Sequence, residues 1–168
     1  MKIAILGHSG AGKSTLAKKL GAHYNIPVLH LDKVSFIENW EVRDHTEALS
    51  IVNDFMKNES WVIEGNYEGL EQKRRLKEAD QIIFMNFSKW FCFFQALKRY
   101  LKNFNKYRDD IADGCIEKFD LEFMIWLLCK GRTAKRKQHF LSVKDLHTDK
   151  FTELKNRKDV QAFLDSLQ

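Results

Sequence analysis

The sequence predicts an α/β fold: a three-layer α/β/α arrangement with a parallel sheet and helices on both faces. Two observations carry this. Short apolar runs alternate with helical segments from one end of the chain to the other, the pattern of consecutive strand–helix crossovers. The first run, Lys2-Ile3-Ala4-Ile5-Leu6, passes without a break into a glycine-rich turn that opens a helix. At 168 residues the chain is most simply one domain, large enough to bury a substantial core. It shows no repeat, low-complexity tract or long linker.

Residues 2–6 are apolar enough for a central strand. The turn that follows, Gly7-His8-Ser9-Gly10-Ala11-Gly12-Lys13-Ser14-Thr15, fits G-x-x-x-x-G-K-[ST] in the strand–turn–helix context the motif requires. Glycines let the backbone curl so that successive N–H groups point at one anion. The helix N-terminus adds its partial positive charge there. Lys13 is expected to reach the β- and γ-phosphates of a nucleoside triphosphate, and the Ser14 hydroxyl to ligate Mg²⁺. All nine residues are candidate nucleotide-binding residues.

The helix runs to about Tyr24, with Leu16, Ala17 and Leu20 on one face. Pro27 starts the second strand, residues 27–31, and Asp32 follows directly. Ligands of open α/β sheets gather beyond the carboxyl ends of strands. A carboxylate there is placed to contact a substrate or hold a metal-bound water; a turn or cap aspartate is the competing reading. Residues 33–43 lack periodicity yet carry Phe36, Ile37 and Trp40, the composition of a segment folding over a pocket. Asp44 begins a helix with Glu47 as a partial capping box. Residues 60–63 form the third strand, which ends in Glu64-Gly65-Asn66-Tyr67, a second carboxylate at a strand end followed by a permissive glycine. The helix of residues 71–78 carries Arg74 and Arg75. Adjacent helical positions point about 100° apart, so one of the two is expected to face the site. Residues 82–85 are the fourth strand, ending at Asn86.

Trp90, Phe93, Phe94, Leu97, Leu101 and Phe104 recur at three- and four-residue steps, so an amphipathic helix is expected, with Arg99 and Tyr100 on or beside its stripe. Residues 105–117, including Arg108, read as a mobile loop, and residues 119–129 as a second apolar helix. These two apolar helices leave room for a homodimer. Residues 130–137 hold five basic residues in eight, a solvated surface by default and a phosphate-facing lid as the alternative. Residues 151–154 are the fifth strand, and Val160, Phe163, Leu164 and Leu167 mark the last helix.

Composition narrows the partners. A net charge of +5 suits an anionic ligand but is too small to establish nucleic-acid binding, and no DNA-reading signature accompanies it. The first apolar run is too short for a signal peptide and the longest, near residues 123–129, too short to span a bilayer, so no membrane partner is expected. Cys92, Cys115 and Cys129 lack metal-ligand spacing and read as free thiols in a reducing cytoplasm.

Several stretches together resemble the bacterial FlaR-type "DNA topology modulation" proteins, P-loop kinases related to adenylate kinase. They are residues 7–15, Val28-Leu29-His30-Leu31-Asp32, Trp61-Val62-Ile63-Glu64-Gly65-Asn66-Tyr67, Arg75-Leu76-Lys77-Glu78-Ala79-Asp80, Lys98-Arg99-Tyr100, Gly114-Cys115-Ile116-Glu117 and Leu121-Glu122-Phe123. The resemblance implies a five-stranded parallel sheet in order 2-3-1-4-5 with a helical lid inserted between strands four and five. It divides the single domain into a core of about residues 1–87 and 148–168 and a lid segment of about 88–147. It implies ATP and Mg²⁺, with Asp32 near the phosphoryl acceptor as general base or acceptor ligand and Glu64-Gly65 at the acceptor pocket. Arg75, Arg99 and Arg108 become phosphate-clamp candidates, Arg75 on the acceptor side and Arg99 and Arg108 catalytic, with Arg132 and Arg136 as weaker ones.

The chain departs from that pattern at Glu64, where Asp is expected, and at Met85-Asn86-Phe87-Ser88-Lys89, where a Leu-Asp-Phe-Pro-Arg-like run is expected. Neutral Asn86 leaves no metal carboxylate at the end of the fourth strand. The function implied is a small-molecule phosphotransferase using Mg-ATP. The alternative is a nucleotide-binding regulatory protein or slow NTPase influencing DNA topology, with no small-molecule acceptor.

Overall fold

The computed structural model describes residues 1–103, 111, 112, 114, 115 and 119–167. Five strands form one parallel sheet: β1 (Lys2–Gly7), β2 (Val28–His30), β3 (Trp61–Glu64), β4 (Gln81–Met85) and β5 (Phe151–Leu154). Their order is β2-β3-β1-β4-β5, as the resemblance implies. Strand β1 is central, paired in register with β3 through Ile5 and Glu64 and with β4 through Gly7 and Met85. Its residues Ile3 to Leu6 are fully buried, which a run apolar on both faces requires.

The two faces are covered by different helices. Helix α1 (Lys13–Tyr24) buries Leu16, Ala17 and Leu20 against Ile3, Ile5, Val62 and Ile83. Helix α2 (Leu31–Ser35), α3 (His45–Phe55) and α4 (Gln72–Glu78) cover the other face, where Val34, Ala48, Val52 and Leu76 pack on Leu6, Trp61 and Ile63. Asp44 caps α3 through Thr46 N and Glu47 N, as its position predicts. The capping box is not reciprocal, because the Glu47 carboxylate accepts from Arg43 instead.

Helices α5 (Lys89–Lys102) and α6 (Leu121–Leu128) follow β4, and α7 (Ala134–Leu146) returns the chain to β5. Helix α7 was not anticipated. Its basic first half reads as surface, yet Phe140 and Val143 enter the same core as Leu6 and Phe84. The ring of Phe140 stacks on Phe84 at 4.4 Å. Helix α8 (Arg157–Asp165), capped by Asn156, closes the chain, with Val160, Phe163 and Leu164 against the α1 side. No helix among the described residues is long and apolar enough to cross a membrane.

Candidate functional site

Gly7 to Lys13 leave the top of β1 and wrap into α1. Gly10 takes φ +78° and approaches α5 so closely that a Cβ would collide with the Cys92 carbonyl, so only glycine fits. The first-turn amides of α1 receive no side-chain cap from Gly12. By contrast α3, α5, α6, α7 and α8 are capped by Asp44, Ser88, Asp120, Thr133 and Asn156. The N–H groups at the start of α1 therefore stay available to an anion. Asn66 braces the turn from the end of β3, accepting from Gly7 N at 3.0 Å and donating to Gly7 O at 2.7 Å.

Carboxylates gather on the β2–β3 side. Glu64 ends β3 beside β1, and its Oε1 accepts from the Ser14 hydroxyl at 3.0 Å and from His30 Nδ1 at 3.0 Å. The fourth strand does end in neutral Asn86, but β1 has two neighbours, and the carboxylate comes from the other one. Burial pushes the Glu64 pKa up. The His30 hydrogen bond, the Lys13 charge and the Ser14 hydroxyl outweigh it and hold the group below the usual carboxylate range. Oε2 of Glu64 accepts from no protein donor among the described residues.

Asp32 lies in the first turn of α2, not in a turn between elements. Its Oδ1 accepts from the Tyr67 hydroxyl at 2.6 Å. Burial and then the neighbouring Glu64 charge raise its pKa, opposed by Lys13, the Tyr67 hydrogen bond and Arg99. Arg99, on α5, therefore lies within electrostatic reach of Asp32, and the structure brings Lys13, Ser14, Asp32, Glu64 and Arg99 together. Arg108 lies outside the described residues.

Arg75 is placed differently from the expectation. It is the inward member of the Arg74–Arg75 pair, fully buried, while Arg74 lies at the surface with Glu78 and Asn53. The Arg75 guanidinium donates to the carbonyls of Leu70, Gly65 and Tyr67, at 2.8, 3.4 and 2.8 Å. It holds the loop that carries Gly65, Asn66 and Tyr67, and so shapes the site from behind.

The β4–β5 side is cationic and aromatic. His8 places its ring edge-on to Phe84 and Phe140, at 5.9 and 5.8 Å. Burial first, then the charges of Arg132 and Lys13, lower its pKa to about 4, so the ring is neutral. Arg132 turns inward from the basic run, donating to Phe87 O at 3.0 Å and Cys92 Sγ at 3.2 Å, and its buried Nε has no partner. Arg136 stacks on Trp126 at 4.6 Å, while Lys130, Lys135 and Lys137 are exposed. The run thus divides into inward arginines and solvated lysines. A pocket of about 210 Å³ lies here, between α7 and the ends of β4 and β5, and meets the phosphate turn only through His8. Asn86 Nδ2 donates to Glu153 at its rim.

Residues 33–43, whose apolar side chains suit either a pocket cover or a satellite cluster, contribute Phe36 and Trp40 to a small separate cluster and do not line the pocket beside α7. Phe36 and Trp40 pack with Ile111, Ala112 and Cys115, whose thiol donates to Ile37 O at 3.1 Å. The cysteines Cys92, Cys115 and Cys129 are free thiols.

No protein-family model and no curated protein matches the sequence. Among solved structures, shikimate kinase from Bacteroides thetaiotaomicron is similar over 100% of this chain and 96% of that one, with a TM-score of 0.55 and 14% identity. The fold is a P-loop kinase fold. At that identity the likeness is one of architecture, and the P-loop kinase fold fixes where strands end rather than which acceptor is bound.

His30, Asn66 and Tyr67 had no assigned role in the sequence. The one signal for the last two was their place directly after the strand-end Glu64-Gly65; His30 has no comparable mark.

Proposed function

We propose that the chain is an ATP-dependent phosphotransferase acting on a small molecule. The observation that carries this is the Ser14–Glu64 hydrogen bond at the uncapped start of α1, with Lys13 beside it and Asp32 across from it. Ser14 and Glu64 offer hard oxygen donors of the kind Mg²⁺ takes, and Asp32 is near enough to hold a metal-bound water. These residues fit the ion and would hold it. When bound, Mg²⁺ neutralises phosphate oxygens and orients them.

The amides of Gly10 to Ser14 receive the β- and γ-phosphates of ATP, and Lys13 follows the charge that develops on the transferred group. Lys13 Nζ has only a long contact, 3.4 Å, to His8 O, so little holds it back from a phosphate. Asp32 takes the proton of the acceptor hydroxyl as the new O–P bond forms and the bond to the β-phosphate oxygen breaks. Its raised pKa suits a base working near neutrality. Tyr67 keeps Oδ1 occupied and leaves Oδ2 for that proton. Arg99 on α5, within electrostatic reach of Asp32, and Arg132, beside His8, would supply positive charge to the phosphates. Arg108 is assigned the same clamping role on the resemblance alone. The FlaR-type assignment likewise rests on the sequence stretches, and the regulatory alternative has no site of its own among the described residues.

The test is transfer of γ-labelled phosphate from ATP to a panel of nucleoside monophosphates, nucleosides, sugars and small hydroxy metabolites, with Lys13→Ala as the control. A labelled product that falls by about 10²–10³-fold in the variant, with its thermal melt unchanged, supports the reading. ATP hydrolysis without any labelled product, or transfer untouched by Lys13→Ala, overturns it.

A further inference from the structure

Glu64 carries two tasks with one oxygen. Its Oε1 is shared by Ser14 Oγ and His30 Nδ1, both at 3.0 Å, while among the described residues Oε2 takes no protein donor. A glutamate has one more rotatable bond than the aspartate expected at this strand end, so its carboxylate needs external fixing to point one way. The sheet supplies it. In the β2–β3 ladder His30 stands in register opposite Glu64, so the two side chains are neighbours on one face. Both are enclosed, with side-chain exposures of 10% and 2%. A carboxylate only accepts, so Nδ1 carries the hydrogen.

We propose that His30 is a positioning residue that pins Oε1 of Glu64 against Ser14 and so turns Oε2 toward the metal-bound nucleotide. This rests on the phosphotransferase reading and adds to it the residue that sets the metal carboxylate. Outer-shell donors of this kind fix ligand orientation, and losing one costs about 10–100-fold in metal affinity.

The experiment measures ATP affinity by calorimetry twice, once with EDTA and once with saturating Mn²⁺, in wild type, His30→Leu, His30→Asn and His30→Gln. The gain in affinity on adding Mn²⁺ is the readout. It is expected to fall about 10–100-fold in His30→Leu. His30→Asn, whose amide nitrogen stands where Nδ1 stood, restores most of it, and His30→Gln, whose amide lies one bond farther out, does not. Metal-free affinity stays the same throughout, which a merely structural defect would not allow. Should His30→Leu fail to fold, the Asn and Gln pair decides alone. Equal Mn²⁺ gains in wild type and in the Leu and Gln variants overturn the role of His30 and leave the phosphotransferase reading standing. Wild type that gains nothing from Mn²⁺ overturns that reading, and the role of His30 with it.

Discussion

The two flanks of the phosphate turn are built from opposite chemistry. Toward β2 and β3 lie Asp32 and Glu64, both enclosed, Asp32 bonded to Tyr67 and Glu64 to Ser14 and His30. Toward β4, β5 and α7 lie His8, Arg132 and the aromatic pair Phe84 and Phe140, with Lys137, Lys144 and a single carboxylate, Glu153, along the pocket they line. Lys13 stands between, close enough to perturb Asp32 and Glu64 on one side and His8 on the other. Under the proposed phosphotransfer, the asymmetry teaches how one turn would serve both ends of the reaction. Proton and metal chemistry need carboxylates that differ in pKa, while a transferring phosphate needs positive charge held ready.

The acid flank also divides its own labour. Two carboxylates this close titrate apart: burial and the Glu64 charge raise Asp32, while the His30 hydrogen bond, Lys13 and Ser14 hold Glu64 down. The largest expected effect therefore comes from Asp32→Asn. It is expected to lower kcat by about 10²–10⁴-fold with ATP affinity retained. The wild-type profile of kcat/KM should rise with pH through a midpoint above the ordinary carboxylate range, because the base works only when deprotonated. The variant should lose that limb. A wild-type profile that is flat from pH 4 to 8 would remove Asp32 from the role.

How much of this was legible in the sequence follows from distance along the chain. The glycine-rich turn is nine consecutive residues, so motif and flanking pattern placed it fully. The alternation of apolar runs and helices indicated a parallel sheet, while its strand order came from the family resemblance and not from the runs themselves. What stayed hidden depends on register. Glu64 meets Ser14 across 50 residues and His30 across 34, and no local pattern announces either. Asn86 ends one neighbour of β1 without a charge, and only the sheet register shows that the other neighbour brings a carboxylate to Ser14. Arg75 looked like a ligand for anions because a sequence cannot say that three carbonyls already surround it. Helix α7 was missed because only Phe140 and Val143 of its residues are buried, too few to make a stripe.

The cationic flank is sharpened by Arg132→Ala. Its guanidinium keeps Nε unpartnered while two other contacts hold it in place, the posture of a group waiting for an acceptor. Charge-assisted hydrogen bonds contribute about 1.5–3 kcal/mol. Transfer should therefore fall about 10- to 100-fold, less than for Asp32→Asn, with the acid limb of the pH profile unmoved. If the limb shifts with Arg132→Ala, the two flanks are coupled and the division drawn here fails. The double variant is the stricter form: independent flanks require the two losses to multiply.

The smallest effect lies at the boundary and reads in stability rather than rate. His8 has a folded pKa of about 4 against an ordinary 6.5, because burial and the charges of Arg132 and Lys13 disfavour its cation. Between those values the unfolded chain binds the proton and the folded chain does not. Stability from this group is thus complete above pH 6.5 and is lost as the pH falls toward 4. From pH 7 to pH 5 the loss is at most about 2 kcal/mol, and nearer 1 after solvent screening of the exposed part of the ring. His8→Gln should flatten that slope in denaturant titrations at the two pH values. The same slope in wild type and His8→Gln would mean that the cations on this flank do not reach His8. Arg132→Ala should also flatten the slope in part, because its charge is the largest single repulsion on the His8 cation. That result would show that the charge placed to meet a phosphate is the one that keeps the first variable residue of the turn neutral.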